Sequence, residues 1–289
     1  MARNGWTAAD GIEAGLHLVA VPIGAARDVT LRALDLMAGA DVLAAEDTRS
    51  LRRLMEIHGV ALGDRPLIPY HDHNAASARP RLMDALRAGG SVAYMSEAGT
   101  PLIADPGFQL GVEARAEGIA VRAAPGASAL LAAPCVGGMP TDRFFFAGFL
   151  PPKPAARRTA LAELAAIPGT LVLYESPKRL TAMLRDAADV LGPRRAAVCR
   201  ELTKRFEEVR QGPLPDLADA WPEPPRGEIV VLIDRPDPAA AADPEALRAL
   251  LAEEMQRMSL KSAVKSVSER SGVARNVVYD LALQVKDSE

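Results

Sequence analysis

The chain has 289 residues, 49% of them hydrophobic and 25% charged, and a net charge of only −3. That is enough apolar material for two globular domains, or for one with an appendage, and the near-neutral balance argues against a generic polyanion binder. Two cysteines, Cys135 and Cys199, give neither a disulfide framework nor a metal-ligand spacing, which fits a reducing cytoplasm; residues 1–15 lack the apolar stretch of a signal peptide, and no apolar run approaches the roughly 18 residues of a membrane span.

Aromatic residues make up only 4% of the chain, so Ala, Leu, Val and Ile must build the core. Short apolar strands alternate with helical patterns, which predicts an α/β architecture. A strand is expected over 16–21. Thr30 is a plausible N-cap for a helix with Leu31, Leu34 and Met37 on one face. The next strand, 42–45, runs into Glu46-Asp47-Thr48-Arg49 and a basic helix to about residue 58. Strands over 91–95 and 119–123 follow, then a helix over 127–135. The second half begins near Arg143, with strands over 144–148, 170–174, 196–199, 206–210 and 229–233. Helices are expected over 155–166 and 177–190. The 206–212 segment suits a hairpin partner, so this sheet is expected to be mixed. Residues 235–244 are linker in composition. Leu260, Val264 and Val267 then repeat at helical spacing, Gly272 breaks the run, and 276–285 is a second amphipathic helix. Helix, glycine turn and helix outline a helix-turn-helix. The expected division is a disordered tail over 1–15, α/β domains over 16–138 and 139–235, a linker over 236–246 and a helical module over 247–289.

Five loops leave the carboxyl ends of predicted strands, where open α/β sheets bind ligands. They are Val21-Pro22-Ile23-Gly24, Glu46-Asp47-Thr48-Arg49, Ser96 to Gly107, Ala124 to Ala129, and Tyr174-Glu175-Ser176-Pro177-Lys178-Arg179. The 96–107 loop interleaves two glycines with two prolines, and its backbone groups are expected to stay free for a ligand. No dinucleotide fingerprint, Walker motif or nucleophile elbow is present. Between Arg143 and Arg210 stand 13 Lys/Arg against 7 Asp/Glu, a local excess suited to steering a polyanion or to a solvated surface.

These loops, with Pro140-Thr141-Asp142-Arg143-Phe144, Gly148-Phe149-Leu150-Pro151 and Cys199-Arg200-Glu201-Leu202-Thr203-Lys204, resemble the tetrapyrrole-methylase superfamily. Within it they are similar to the ribosomal RNA small subunit methyltransferase I branch, in order over roughly 16–285. The resemblance implies two α/β domains with S-adenosylmethionine in the cleft between them, plus a C-terminal helical module. It also implies a cytoplasmic homodimer and methyl transfer to the ribose 2′-oxygen of cytidine 1402 in 16S rRNA, free or in the small subunit. Ala25 stands where the family has asparagine, Glu97 where it has Asp, Ala127 where it has Pro, and Ser176-Pro177-Lys178 where it has Ala-Pro-His.

The expected cofactor contacts are Pro22, Ile23, Gly24, Ser96, Glu97, Ala98, Gly99, Thr100, Pro101, Ala127, Ser128, Ala129 and Tyr174. Glu46, Asp47 and Arg49 are the catalytic candidates: a carboxylate to accept the hydroxyl proton and an arginine fork for a phosphate. An internal ion pair at a helix N-terminus explains the same residues. Arg143, Lys178, Arg179, Arg200, Lys204 and Arg205 are expected to face the substrate, with Glu175 beside them; a surface salt-bridge face is the alternative for Arg200, Lys204 and Arg205. Two rival functions remain: carbon methylation of a tetrapyrrole, and a non-catalytic RNA-binding assembly factor.

Overall fold

The computed structural model describes residues 11–103, 107–221, 223–237, 244–271 and 273–287. Its first sheet is wholly parallel, built from β1 (Gly15–Val19), β2 (Val42–Ala45), β3 (Leu67–Pro69), β4 (Ser91–Met95) and β5 (Val121–Ala124) in the order β3-β2-β4-β1-β5. Every residue of β2 and β4 is buried, as parallel strands covered on both faces must be. Successive side chains face opposite cores. Leu43, Ala93 and Met95 pack with Leu34 and Met37 of α1 (Leu31–Gly39) and with Leu51 and Met55 of α2 (Thr48–His58). Val92 and Tyr94 pack with Leu82 and Met83 of α3 (Ala75–Arg87) and Leu110 of α4 (Phe108–Ala116). Thr30 caps α1 as expected, its hydroxyl accepting the Ala33 N–H at 3.1 Å. Because all five strands run the same way, the loops after β1, β2, β4 and β5 crowd one edge.

The second sheet is mixed, as expected. It contains β6 (Phe144–Phe149), β7 (Thr170–Glu175), β8 (Arg195–Arg200), β9 (Glu208–Pro213) and β10 (Ile229–Ile233) in the order β6-β7-β10-β8-β9, and only β6 and β7 pair in parallel. One face is covered by α6 (Pro154–Leu164), α7 (Leu180–Leu191) and α8 (Leu214–Asp219), with Leu161, Met183, Leu184 and Leu217 against Leu171, Leu173 and Val231. The other face is covered by α5 (Ala129–Gly137). This helix follows β5 of the first sheet, yet its Ala133 packs with Val172, Val230 and Leu232 of the second, and Ile23 of the first loop joins the same cluster. That shared core brings the two sheets together.

Three helices, α9 (Pro244–Met255), α10 (Leu260–Ser271) and α11 (Arg275–Asp287), close around Leu247, Leu251, Val264, Val267 and Val278. The helical module thus has one more helix than expected, and it starts at Pro244, inside the expected 236–246 linker. At the other end Gly15 already belongs to β1, and Arg122 ties down Glu13 and the Ala14 carbonyl, so the expected disordered tail does not extend to residue 15. Residues 1–10, 238–243 and the predicted break at Gly272 lie outside the described residues. The strand expected over 206–210 is displaced to Glu208–Pro213, because residues 201–207 form a tight loop.

Candidate cofactor and substrate site

The loop after β4 folds back onto the loop after β1. The Val21 N–H donates to the Gly99 carbonyl at 2.9 Å and the Gly99 N–H to the Val21 carbonyl at 3.1 Å, with Gly99 at a φ of 75° that favours glycine. The expectation that the backbone of this loop stays free therefore fails at Gly99, whose polar groups are both used. The Thr100 hydroxyl donates to the Ala127 carbonyl at 3.0 Å, tying this loop to the one after β5. Glu46 supports it from the other side, accepting the Glu97 N–H at 3.1 Å.

The paired 21–24 and 96–100 segments form a partition with a concavity on each side. On one side lies a cavity of about 360 Å³, within the usual range for small-molecule sites. Ile23, Ala98, Gly99, Thr100, Ser128 and Ala129 wall it from the first sheet's loops, and Tyr174 from the second sheet; all seven belong to the expected cofactor set. Phe149, Glu175, Cys199, Leu202, Glu228 and Ile229 are among its other lining residues. Of these, Glu175 is expected from the sequence as a substrate contact, and Phe149, Cys199 and Leu202 stand in motifs that carry the resemblance but have no site role assigned to them; Glu228 and Ile229 lie in no motif. Across the partition is a groove of about 530 Å³ lined by Pro22, Gly24, Ser96 and Glu97, with Asp47, Arg49 and Arg53. The expected cofactor set is thus divided: four of its members face the groove with Asp47 and Arg49. Pro101 is buried, and Ala127 contributes its carbonyl to Thr100.

The two concavities differ in chemistry. Among the described residues no Lys or Arg lines the cavity, while two carboxylates do, Glu175 and Glu228. Burial pushes the Glu175 carboxyl above its usual range, against the Ser176 N–H at 2.7 Å and Arg179 at 3.2 Å, which favour the anion. Tyr174 meets Phe146 and Phe149 edge-on, with ring centres 4.9 and 5.7 Å away. Burial drives the Cys199 thiol up to about 12, so it acts as an apolar wall rather than a nucleophile. An apolar, aromatic cavity whose two lining carboxylates are each paired with a cation, Glu175 with Arg179 and Glu228 with Lys204, suits a nucleoside better than a phosphate.

In the groove, Asp47 is the N-cap of α2. It accepts the Arg49 N–H at 2.7 Å and the Ser50 N–H at 3.4 Å, and pairs with the Arg49 guanidinium at 3.0 Å. The Arg49 side chain and the helix N–H groups hold its carboxyl down to about 2. This is the helix-end ion pair that stood as the alternative, and a carboxylate so acidic is a poor proton acceptor at neutral pH. Arg49 projects outward, its side chain 90% exposed.

The six expected substrate-facing cations also divide. Arg179 is tied to the Leu150 carbonyl and Glu175, Arg200 to Glu208 and the Arg226 carbonyl, and Lys204 to Glu201 and Glu228. These three brace the walls. Arg143, Lys178 and Arg205 are exposed and pair with no carboxylate among the described residues.

Sequence comparison gives the arrangement its place among known proteins. Residues 15–218 match the family of Tetrapyrrole (Corrin/Porphyrin) Methylases, and residues 240–286 match the RsmI C-terminal HTH domain. The chain is 45% identical to the Ribosomal RNA small subunit methyltransferase I of Mesorhizobium japonicum, over 96% of this chain and 94% of that one. It is 43% identical to the protein of the same name from Pseudomonas aeruginosa, over 93% and 96%. Among solved structures, the methyltransferase CobJ superposes with a TM-score of 0.60 at 19% identity, covering 78% of this chain and 95% of that one, a likeness of fold. The chain belongs to the tetrapyrrole methylase family, in its ribosomal RNA small subunit methyltransferase I branch.

Proposed function

We propose that this protein methylates the ribose 2′-oxygen of cytidine 1402 in 16S rRNA, with S-adenosylmethionine in the cavity between the sheets and RNA over the groove. Membership of the branch supports cofactor-dependent methylation of ribosomal RNA. The observation that supports the placement is the opposed chemistry of the two concavities: among the described residues, carboxylates and aromatic rings without a lining Lys or Arg on one side, outward-facing Arg49 and Arg53 on the other. A sulfonium nucleoside is cationic and fits the first; an RNA backbone is anionic and fits the second.

S-adenosylmethionine supplies an electrophilic methyl group whose departure leaves a neutral thioether, so transfer asks the protein chiefly for alignment. Thr100, Ser128 and Tyr174 would hold the nucleoside, and the Glu175 carboxylate in the same lining would offset its positive charge. Asp47 aims Arg49 at a phosphate. Glu46, with one carboxylate oxygen on the Glu97 N–H, is the group assigned to take the hydroxyl proton. The protein acts as a cytoplasmic homodimer in this reading; edge strand β6 exposes Phe144, Phe145 and Phe149, and α5 exposes Leu131 and Val136, faces suited to a second copy.

Calorimetric titration with S-adenosylmethionine, followed by methyl transfer to small ribosomal subunits, tests this. Saturable 1:1 binding and labelled 16S rRNA are expected. No binding of the nucleoside would favour a non-catalytic assembly factor, and transfer to a tetrapyrrole in place of RNA would favour the other rival.

A further inference from the structure

The 201–207 loop is held in an unusual shape. Glu201 and Thr203 have left-handed backbones at φ 53° and 65°, and Thr203 is β-branched, so the conformation is costly unless its surroundings enforce it. Several ties do so. The Thr203 N–H donates to the Glu207 carboxylate at 2.6 Å, Lys204 bridges Glu201 and Glu228 at 2.9 Å each, and the Ala25 N–H of the first domain donates to the Thr203 hydroxyl at 3.0 Å. The loop also sits directly on Gly24, where a Cβ would lie 2.5 Å from Lys204 Cγ. Gly24 lines the groove, and Leu202 of the same loop lines the cavity. The loop therefore stands where the two concavities meet.

What this bracing holds out to solvent is Arg205 and Phe206. Phe206 is 63% exposed, well beyond Phe144 and Phe145 on edge strand β6, and the Arg205 guanidinium lies 5.4 Å from its ring centre. Arg205 has no carboxylate partner among the described residues. A rigid, solvent-facing aromatic beside an unpaired guanidinium is the combination that stacks an unpaired base and grips its phosphate.

We infer that the Arg205–Phe206 tip is a base-stacking site for a single-stranded nucleotide of the RNA substrate, adjacent to the one presented for methylation. The inference rests on the RNA-methylating reading above. Phe206 positions the substrate and takes no part in the chemistry.

The test measures affinity of the full-length protein for small ribosomal subunits, together with S-adenosylmethionine affinity and solution mass. Phe206→Ala is expected to weaken RNA binding roughly tenfold, the effect of losing one stacked base. Phe206→Trp restores it and Phe206→Leu does not, because leucine keeps the apolar bulk without a π face. Arg205→Gln lowers the salt dependence of binding by about one unit of log–log slope. Cofactor affinity and solution mass stay unchanged in all four variants. Full binding by Phe206→Ala while the wild type methylates RNA would overturn the stacking site and leave the functional reading intact. Rescue by Phe206→Leu, a fall in cofactor affinity, or a halved solution mass would each overturn it in favour of plain apolar packing. A wild type that neither binds nor methylates RNA would sink the functional reading first, and this site with it.

Discussion

Asp47 shows how one side chain serves a helix and a site at once. Its carboxylate satisfies N–H groups at the start of α2 and points Arg49 outward. Asn is nearly as good an N-cap as Asp but carries no charge to hold the guanidinium. Asp47→Asn should therefore raise KM for RNA roughly fivefold with kcat unchanged within about twofold, as steady-state kinetics would show. A collapse of kcat at constant KM would return Asp47 to proton transfer. Glu175 makes the complementary case in the cavity. Glu175→Gln removes the buried negative charge without changing shape, and S-adenosylmethionine affinity should drop about tenfold, near 1.4 kcal/mol. Unchanged affinity in calorimetry would mean that the carboxylate serves only Arg179. The chemical types at these positions were legible in the sequence. Their partners were not: nothing in Glu46-Asp47-Thr48-Arg49 says which carboxylate bends onto the helix end and which onto the Glu97 N–H.

Elements were most legible where burial alone dictates them. The strands Val42–Ala45, Ser91–Met95 and Ile229–Ile233 have the expected bounds because each is an uninterrupted run buried on both faces. β9 was misplaced because long-range ties, Ala25 to Thr203 and Lys204 to Glu228, hold 201–207 out of the sheet, and local propensity carries no trace of them. Helix α9 was missed because it starts within a stretch of linker-like composition; three-residue β3 is too short to show a period. One inter-element tie has a pH signature. Asp41, just ahead of β2, accepts the Ser91 hydroxyl at 2.6 Å and the Ser91 N–H at 2.7 Å at the start of β4, which hold its carboxyl below the ordinary 3.8. Its contribution is full above that value and is lost as pH falls through the lower folded value. Asp41→Asn should cost about 1 kcal/mol at neutral pH, and urea midpoints of variant and wild type should converge below pH 3.8. A constant gap down to strongly acidic pH would show that charge is not what matters there.

At the scale of the whole molecule, two sheets share one core through α5 and Ile23, and the cavity lies beside that junction. The C-terminal helices close around a core of their own. A chain ending at Asp237 should therefore bind S-adenosylmethionine as the full chain does and lose affinity for small subunits. Equal RNA affinity in the truncated chain would remove the module from substrate recognition. The loops singled out in the sequence leave different strands of two sheets and converge only once both sheets are assembled, so their division between cavity and groove needed the fold. On the proposed function, a sulfonium nucleoside in the cavity delivers its methyl group to a ribose oxygen of small-subunit RNA. The most direct test is mass mapping of 16S rRNA from small subunits incubated with the protein and isotopically labelled S-adenosylmethionine. One labelled 2′-O-methyl group is expected, at cytidine 1402; label on a base, at another nucleotide, or nowhere in the RNA would contradict the proposed function.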